Sequence, residues 1–565
     1  MSDLRPSTFG FRPSTLDSRL SSLTRRDVLA GLLGLPVALA AGCGRDELPP
    51  AGEIVGASHT AGHRIRDGFR PRPADDAWEK TGVVIVGGGI AGLSAARRLR
   101  QSGFDDFVLL ELEAKPGGTS QSGKTRVVAH PWGAHYLPAP MQENKPLVDL
   151  LDEMGVLEGR DAEGEPIVAE QFLCRDPEQR IFFEGRWREE LYPHHGETAR
   201  DKSELAKFRR KLDAWVRWRD AQGRRAFGLP IATASDDAYV TQLDRISMKT
   251  WMKRQGFQSR RLYWMVDFSC RDDYGLTLEQ TSAWAGLFYF ASRIRKPQAK
   301  PQPLISWPEG NGRFVAHMVR QVRKNIRLGM AVTEIVTKQD AGKSALDVVA
   351  VNSDGKTARG WHAERVIFAA PHFLAPYLIR GFADDAKRAA AASKFEYGSW
   401  MVANLVLRDR PAENGFALSW ENVIYDSPSL GYIVATHQKG LDFGPTVLTY
   451  YYPLTDEDPN AGRRRLLDLG WKEWAEIVLT DLETAHPDIR PLVERLDVMR
   501  WGHAMIRPRP GFVWGPERAA AGRPFRGVHF ANTDLSGVAL FEEAFYHGNR
   551  AADEVLQTRS LAAKS

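Results

Sequence analysis

The chain has 565 residues and carries 76 Lys and Arg against 71 Asp and Glu, a formal net charge of +5. So small an excess argues against a nucleic-acid binder, while the length allows two domains with a large core. The three cysteines, Cys43, Cys174 and Cys270, show no metal-ligand spacing, which argues against a zinc or iron–sulfur site.

Residues 1–22 are polar and rich in Ser, Pro and Arg. Thr24-Arg25-Arg26-Asp27-Val28-Leu29 then resembles a twin-arginine export signal. The apolar stretch behind it, Val28 to Ala41, is at about fourteen residues too short to span a bilayer comfortably. Leu39-Ala40-Ala41-Gly42-Cys43 resembles a bacterial lipobox, with Ala40 where leucine is usual. The order of these features predicts a leader over 1–43, the twin-arginine export machinery as a partner, and a periplasmic destination. It leaves open whether a lipidated Cys43 attaches the protein to a membrane. Residues 44–80 contain Pro49-Pro50, Pro71 and Pro73 without clear periodicity, so they read as a tether or a strap over the domain. His59 and His63 lie four apart there, but with no helical pattern around them a ligand pair is not expected.

Val83 to Val86 is a β-branched run of the kind that forms a buried parallel strand. It enters Gly87-Gly88-Gly89-Ile90-Ala91-Gly92, a G-x-G-x-x-G turn, and then a helical pattern with Ile90, Leu93, Ala96 and Leu99 on one face. A second apolar strand, Phe107 to Leu110, ends on Glu111. In such a β-α-β unit Gly87 allows the tight turn, Gly89 lets a pyrophosphate approach the backbone, and Gly92 lets the helix pack on the strand. The helix N-terminus at Ile90 and Ala91 offers free N–H groups and partial positive charge to the phosphates. Glu111, 19 residues beyond Gly92, is placed to accept from ribose hydroxyls and to repel a 2′-phosphate.

Glu111 is followed six residues later by Gly117-Gly118. This resembles the E-x5-G-G extension of the flavin amine oxidase superfamily, which also contains phytoene desaturases and protoporphyrinogen oxidases. Thr119 stands where that family commonly has arginine. The resemblance implies an α/β chain with a discontinuous Rossmann-like FAD-binding domain and a mixed α+β substrate domain. It recurs at Pro131-Trp132-Gly133-Ala134-His135-Tyr136-Leu137, similar to the G-A-H stretch beside the isoalloxazine, and at Val366 to Pro371, similar to the strand ending in A-x-P. Val332 matches the position whose backbone holds the adenine. Asn532-Thr533-Asp534, Ser536-Gly537-Val538 and the helix beyond resemble the C-terminal element that faces the flavin pyrimidine. Gly117, Gly118, Thr119, Val332, Asp534, Gly537 and Val538 are thereby cofactor candidates. Export of folded proteins by the twin-arginine route suits a protein that loads its cofactor first.

Between these motifs, Leu147 to Met154 reads as a helix, and the Trp-, Tyr- and Arg-rich stretch from about Gly159 to Pro303 as most of the substrate domain, with a helix over Ser203 to Ala221. Within it, Asp267 to Thr281 reads equally as pocket lining or as a core helix–turn–helix contact. A helix over Phe314 to Lys324 leads to short strands at Ile326–Leu328, Val332–Val336, Leu346–Asn352 and Arg365–Ala370, with Asn352-Ser353-Asp354-Gly355 as a hairpin turn. Tyr397 to Tyr452 reads as strands and Leu466 to Leu482 as one helix. The resulting domains are 81–158, 304–394 and 499–558 for the cofactor and 159–303 and 395–498 for the substrate.

Many amine oxidases carry a lysine by flavin N5 in a strand resembling Tyr397 to Val402; Trp400 or Met401 takes that place here. Leu540 stands where relatives often have a cage tyrosine. No cysteine lies near the C-terminal motif, so the resemblance implies FAD bound non-covalently. Catalytic candidates are His135, Tyr136, Trp400 and Glu542. Glu542 and its neighbour Glu543 read either as contacts to a cationic amine or as a solvated helix face. Oxidation of an amine or polyamine small-molecule substrate is the first expectation. Desaturation or isomerisation of an apolar substrate is the second, and a non-catalytic flavin-binding lipoprotein the third.

Overall fold

The computed structural model describes residues 50–340, 343–455 and 458–562. The leader expected over 1–43, with Cys43, lies outside the described residues. Among the described residues no helix is long and apolar enough to cross a membrane.

Two sheets organise the described chain. The first holds the dinucleotide motif. Its strand order is Ile326–Arg327, Phe107–Leu110, Trp78–Val86, Ala358–Phe368, Lys343–Asn352, Met330–Asp340. Val83 to Val86 pair in parallel with Phe107 to Leu110 on one side and with Arg365 to Phe368 on the other. Both faces of this strand are covered, which is why four apolar residues run together without alternation. Val83, Val84 and Ile85 are fully buried, each contributing about 1.5–3 kcal/mol of burial. Ala358–Phe368 is long enough to divide its other edge. Its first half pairs with Lys343–Asn352 and its last three residues pair in parallel with Val528–Phe530. Sequence-distant segments thereby meet at the C-terminal ends of the central strands, where ligands of open α/β sheets bind.

The second sheet has eight strands, in the order Ile54–Gly56, Val493–Ile506, Tyr397–Leu407, Thr446–Pro453, Tyr432–Val434, Glu421–Ile424, Gln179–Phe183, Arg186–Glu189. Tyr397–Leu407 is buried along its whole length. A helical group packs beside it: Ala199–Arg217, Met248–Arg254, Arg260–Tyr274 and Ala283–Ala291 share a core built on Phe208, Trp251, Leu262 and Trp284. Thr198 and Asp201 close a reciprocal capping box at the start of the first of these helices.

Three sequence expectations change. The apolar run over Leu466 to Leu482 forms two helices, Pro459–Asp468 and Trp471–Glu483, because Gly470 takes an extended conformation and starts the second. The strand Val493–Ile506 runs across the boundary expected at 498/499, since its register with Tyr397–Leu407 continues to Ile506. The segment read as a tether or a strap without periodicity holds a helix, His59–Arg66.

Candidate active site

A cavity of about 1080 Å³ opens between the two sheets. At one end lie Gly87, Gly88, Gly89, Ile90 and Ala91. Gly87 has φ +103°, a conformation that disfavours any side chain. A Cβ at Gly92 would fall 1.9 Å from the Gly87 carbonyl, so this glycine serves helix–turn packing and does not line the cavity. A Cβ at Gly89 meets nothing within 4 Å: the protein leaves that space for something else. The helix Ile90–Gln101 starts at Gly89 without a side-chain cap, so its first N–H groups are available to an anion. The donor set and the space suit a dinucleotide pyrophosphate.

Glu111 lines the same end. Its carboxylate accepts from Gly88 N–H at 2.6 Å and from Glu113 N–H at 2.8 Å, so it also holds the glycine turn in place. Burial pushes its pKa up, and those two backbone bonds oppose the shift. Gly117 N–H donates to the Gly88 carbonyl at 2.8 Å, which brings Gly117, Gly118 and Thr119 to the cavity beside the turn. Val332 arrives on the strand Met330–Asp340, next to an irregularity at which Thr333 is the extra residue.

Asp534 reaches the cavity from the C-terminal motif. Its Oδ2 accepts from Tyr397 OH at 2.7 Å and from His372 N–H at 2.8 Å. Burial pushes its pKa to about 6 against those bonds. Gly537 and Val538 are not part of the lining. Gly537 makes a turn at φ +80°, and Val538 packs in the helical core with Trp251, Leu262 and Trp284.

The other end of the cavity is aromatic and acidic. His135 stacks on Tyr451 at 4.7 Å between ring centroids, and its Nδ1 lies 3.2 Å from the Gly133 carbonyl. Burial lowers its pKa to about 4, so the ring is neutral at neutral pH. Tyr136 OH donates to Asp273 Oδ1 at 3.4 Å. Trp400 and Leu540 line the wall. Asp272 and Asp273 end the helix Arg260–Tyr274, which Gly275 terminates in the left-handed conformation. Glu421 comes from a strand and accepts from Gln179 Nε2 at 2.8 Å. Glu542 comes from the last helix. Burial raises the pKa of Asp272 and Glu542 to about 7, with Asp273 adding to the rise at Asp272. Burial, then Asp272, raise that of Glu421.

The solvated face expected as one account of Glu542 and Glu543 is absent: both are buried. Glu543 points away from the cavity lining, accepts from Ile231 N–H at 2.7 Å, and receives the Ser536 hydroxyl, which also lies 2.8 Å from His547 Nε2. Of the stretch Asp267 to Thr281, Asp272 and Asp273 line the cavity while Cys270, Tyr274, Leu276 and Leu278 pack in the helical core, so each reading describes part of it. Arg293, Glu421 and Tyr451 were not singled out in the sequence. The adjacent acids Asp272-Asp273 at the end of an aromatic-rich helix and Glu421 opening the strand Glu421–Ile424 were the available signals. Cys174 and Cys270 are free and line no part of the cavity.

Comparison with known proteins agrees with this geometry. The flavin containing amine oxidoreductase family matches residues 90–556. A bovine peroxisomal N(1)-acetyl-spermine/spermidine oxidase is 41% identical over 76 residues, 13% of this chain, and the match spans only 15% of that relative's length. Among solved structures, a putrescine oxidase superposes with a TM-score of 0.61 at 17% identity, covering 85% of this chain and 100% of that one. A CLA-producing fatty acid isomerase from P. acnes superposes with a TM-score of 0.58 at 14% identity, covering 84% and 98%. At such identities these two establish the fold alone. With the family spanning most of the sequence and the cleft furnished for a dinucleotide, the chain belongs to the flavin containing amine oxidoreductases, enzymes that use FAD.

Proposed function

We propose that this protein is an exported oxidoreductase that oxidises a cationic amine, a diamine or polyamine in preference to a neutral one. The observation that carries the reading is the charge of the cavity around Tyr136. Asp272, Glu421 and Glu542 line it, and the nearby cation, Arg293, is taken up by Asp273. Carboxyls with pKa values raised to about 7 ionise readily when an ammonium arrives beside them.

Bound FAD supplies the hydride acceptor, here for a hydride leaving the carbon next to nitrogen. The chain's own residues do the rest. Asp272, Glu421 and Glu542 bind an ammonium remote from the reacting carbon and orient the chain. The rings of Tyr136, Tyr451 and Trp400 exclude water. Neutral His135, with Nδ1 directed at the Gly133 carbonyl, leaves Nε2 as an acceptor on the wall. Asp534, fixed by Tyr397 and His372, and the uncapped start of the helix at Ile90 hold the cofactor's polar groups.

An anaerobic absorbance titration with a panel of amines tests this. Bleaching of the flavin spectrum by a diamine or polyamine supports the proposal; a spectrum that no amine changes overturns it. Trp400 and Leu540, both apolar where relatives carry polar groups, favour a second reading, desaturation or isomerisation of an apolar substrate. That reading predicts bleaching or turnover with an unsaturated lipid and none with amines.

The export part of the proposal rests on the order of Arg25-Arg26, the apolar stretch and Cys43. It gives a periplasmic enzyme, attached to a membrane where Cys43 is lipidated. The discontinuous arrangement of cofactor and substrate domains is likewise proposed from the motif order.

A further inference from the structure

Residues 50–72 precede the part of the chain matched to the family, which begins at Ile90. Despite that, this segment is built into both sides of the cofactor cleft. Ile54–Gly56 pairs in parallel with Val493–Ile506 at the edge of the eight-stranded sheet. Two residues later the chain crosses to the other sheet. Ser58 N–H donates to Glu113 Oε1 at 2.8 Å and its hydroxyl to Oε2 at 3.0 Å. Glu113 lies two residues beyond Glu111 and donates to it.

The helix His59–Arg66 then lies along the cavity. Ile65 enters the same core as Val86, Leu110 and Val332. Ser58, His59, Gly62, His63 and Arg66 line the cavity that holds Gly89, Glu111 and Val332. Beyond the helix, Arg70 fastens the segment: its Nη1 donates to the Ile65 carbonyl and its Nη2 to the Tyr377 carbonyl, each at 2.8 Å.

The charge of this wall is also specific. His59, His63 and Arg66 on the strap share the cavity lining with Arg463, Arg464 and Arg500. Arg500 donates to the Leu466 carbonyl at 2.9 Å, not to a carboxylate. The glycine pair of the dinucleotide motif is followed by Thr119, so no arginine is supplied from that position. On the strap itself Arg66 is paired with Asp67 at 2.9 Å and burial, then Arg66, lower the pKa of His63, so the guanidinium groups of the outer wall that face the cavity come from Arg463, Arg464 and Arg500.

We propose that residues 57–70 are part of the FAD site: a strap that closes over the adenosine side of the cleft, beside Glu111 and Val332, and opens for the cofactor to enter or leave. This rests on the reading of the cleft as an FAD site, and the test separates the two.

The test uses the full holoenzyme. Release of FAD is followed by flavin fluorescence after dilution, for the wild type and for Ser58→Ala and Ile65→Ser. Loss of the Ser58 hydroxyl bond is expected to speed release about three- to tenfold, and Ile65→Ser more. Trypsin is expected to cut after Arg64 and Arg66 in the apoprotein and to leave the holoenzyme intact there. The near-UV circular dichroism of the apo variants checks that they fold. Unchanged release rates in both folded variants, or equal cleavage of apo and holo protein, overturn the strap assignment. A wild-type protein that takes up no FAD at all overturns the cofactor reading itself, whereas FAD retention by the wild type and loss by Gly89→Val keep that reading whatever the strap does.

Discussion

Arg293 Nη2 donates to both carboxylate oxygens of Asp273 at 2.8 Å, and this pairing leaves the other acids of the cavity without a partner of opposite charge from that side chain. A buried pair of this kind is costly to assemble and more costly to break. Here it fixes the aromatic end of the cavity as net acidic. Arg293→Ala is expected to leave Asp273 buried and uncompensated, to lower the melting temperature, and to reduce turnover in the protein that still folds. Arg293→Lys keeps the charge and is expected to retain the fold while weakening substrate binding, because one ammonium cannot reproduce the planar guanidinium. Calorimetry with steady-state kinetics checks both.

Asp272→Asn and Glu421→Gln should act on substrate binding. Each removes a charge-assisted contact to an ammonium, so KM for a diamine is expected to rise about 10- to 100-fold with kcat much less affected. A monoamine with an alkyl tail should be nearly indifferent to both. Equal effects on the two substrates would place the acids outside the binding of a remote ammonium.

The pH dependence of binding follows from the same groups. Asp272 and Glu542 hold their protons up to about pH 7 in the free cavity. An adjacent ammonium favours the carboxylates, so binding below that pH releases protons. The affinity for a dication is expected to rise as pH increases from 5 to 7. Titration calorimetry in two buffers of different ionisation enthalpy measures the protons released; none at pH 6 would contradict the assignment.

These acids mark the limit of what the chain discloses before it folds. The glycine turn, its helix and Glu111 lie within one β-α-β unit, where spacing and chemistry are local and legible. The cavity charge depends on residues 272, 421 and 542, which meet only because strands and helices of separate segments converge. Glu542-Glu543 at a helix start looks like a solvated face, and only the packing of Ile231 and Ser536 against it shows burial. His59–Arg66 lacks a strong apolar stripe; Ile65 alone is buried on it, so its helical state comes from docking.

Glu543 offers a clean linkage test. Burial raises its pKa from the ordinary carboxylate range to about 7. A carboxyl raised in the folded state contributes stability below its unfolded pKa and loses it as pH rises through the folded value. Glu543→Gln removes that titration. The variant's stability relative to wild type is therefore expected to increase between about pH 4.5 and 7, by roughly 3 kcal/mol at most, and then level off. Urea unfolding across that range checks the sign; a difference independent of pH would show that Glu543 is already ionised in the folded protein.

Gly89 and Gly92 separate cofactor binding from folding within one turn. A methyl group at Gly92 would overlap the Gly87 carbonyl at 1.9 Å, so Gly92→Ala must displace the helix from the strand, and it is expected to cost several-fold in soluble yield with or without FAD. At Gly89 the same methyl group meets no protein atom within 4 Å. Gly89→Ala should therefore melt like wild type as the apoprotein, the slight gain in backbone stiffness offsetting little. Its methyl group would occupy the space left for the pyrophosphate, so FAD affinity is expected to fall at least tenfold. Apoprotein melting curves and equilibrium FAD titration of the two variants give the answer together. If Gly89→Ala retains full affinity while Gly92→Ala fails to fold, the open space at Gly89 is not where the diphosphate approaches the backbone, and the glycine turn serves packing alone.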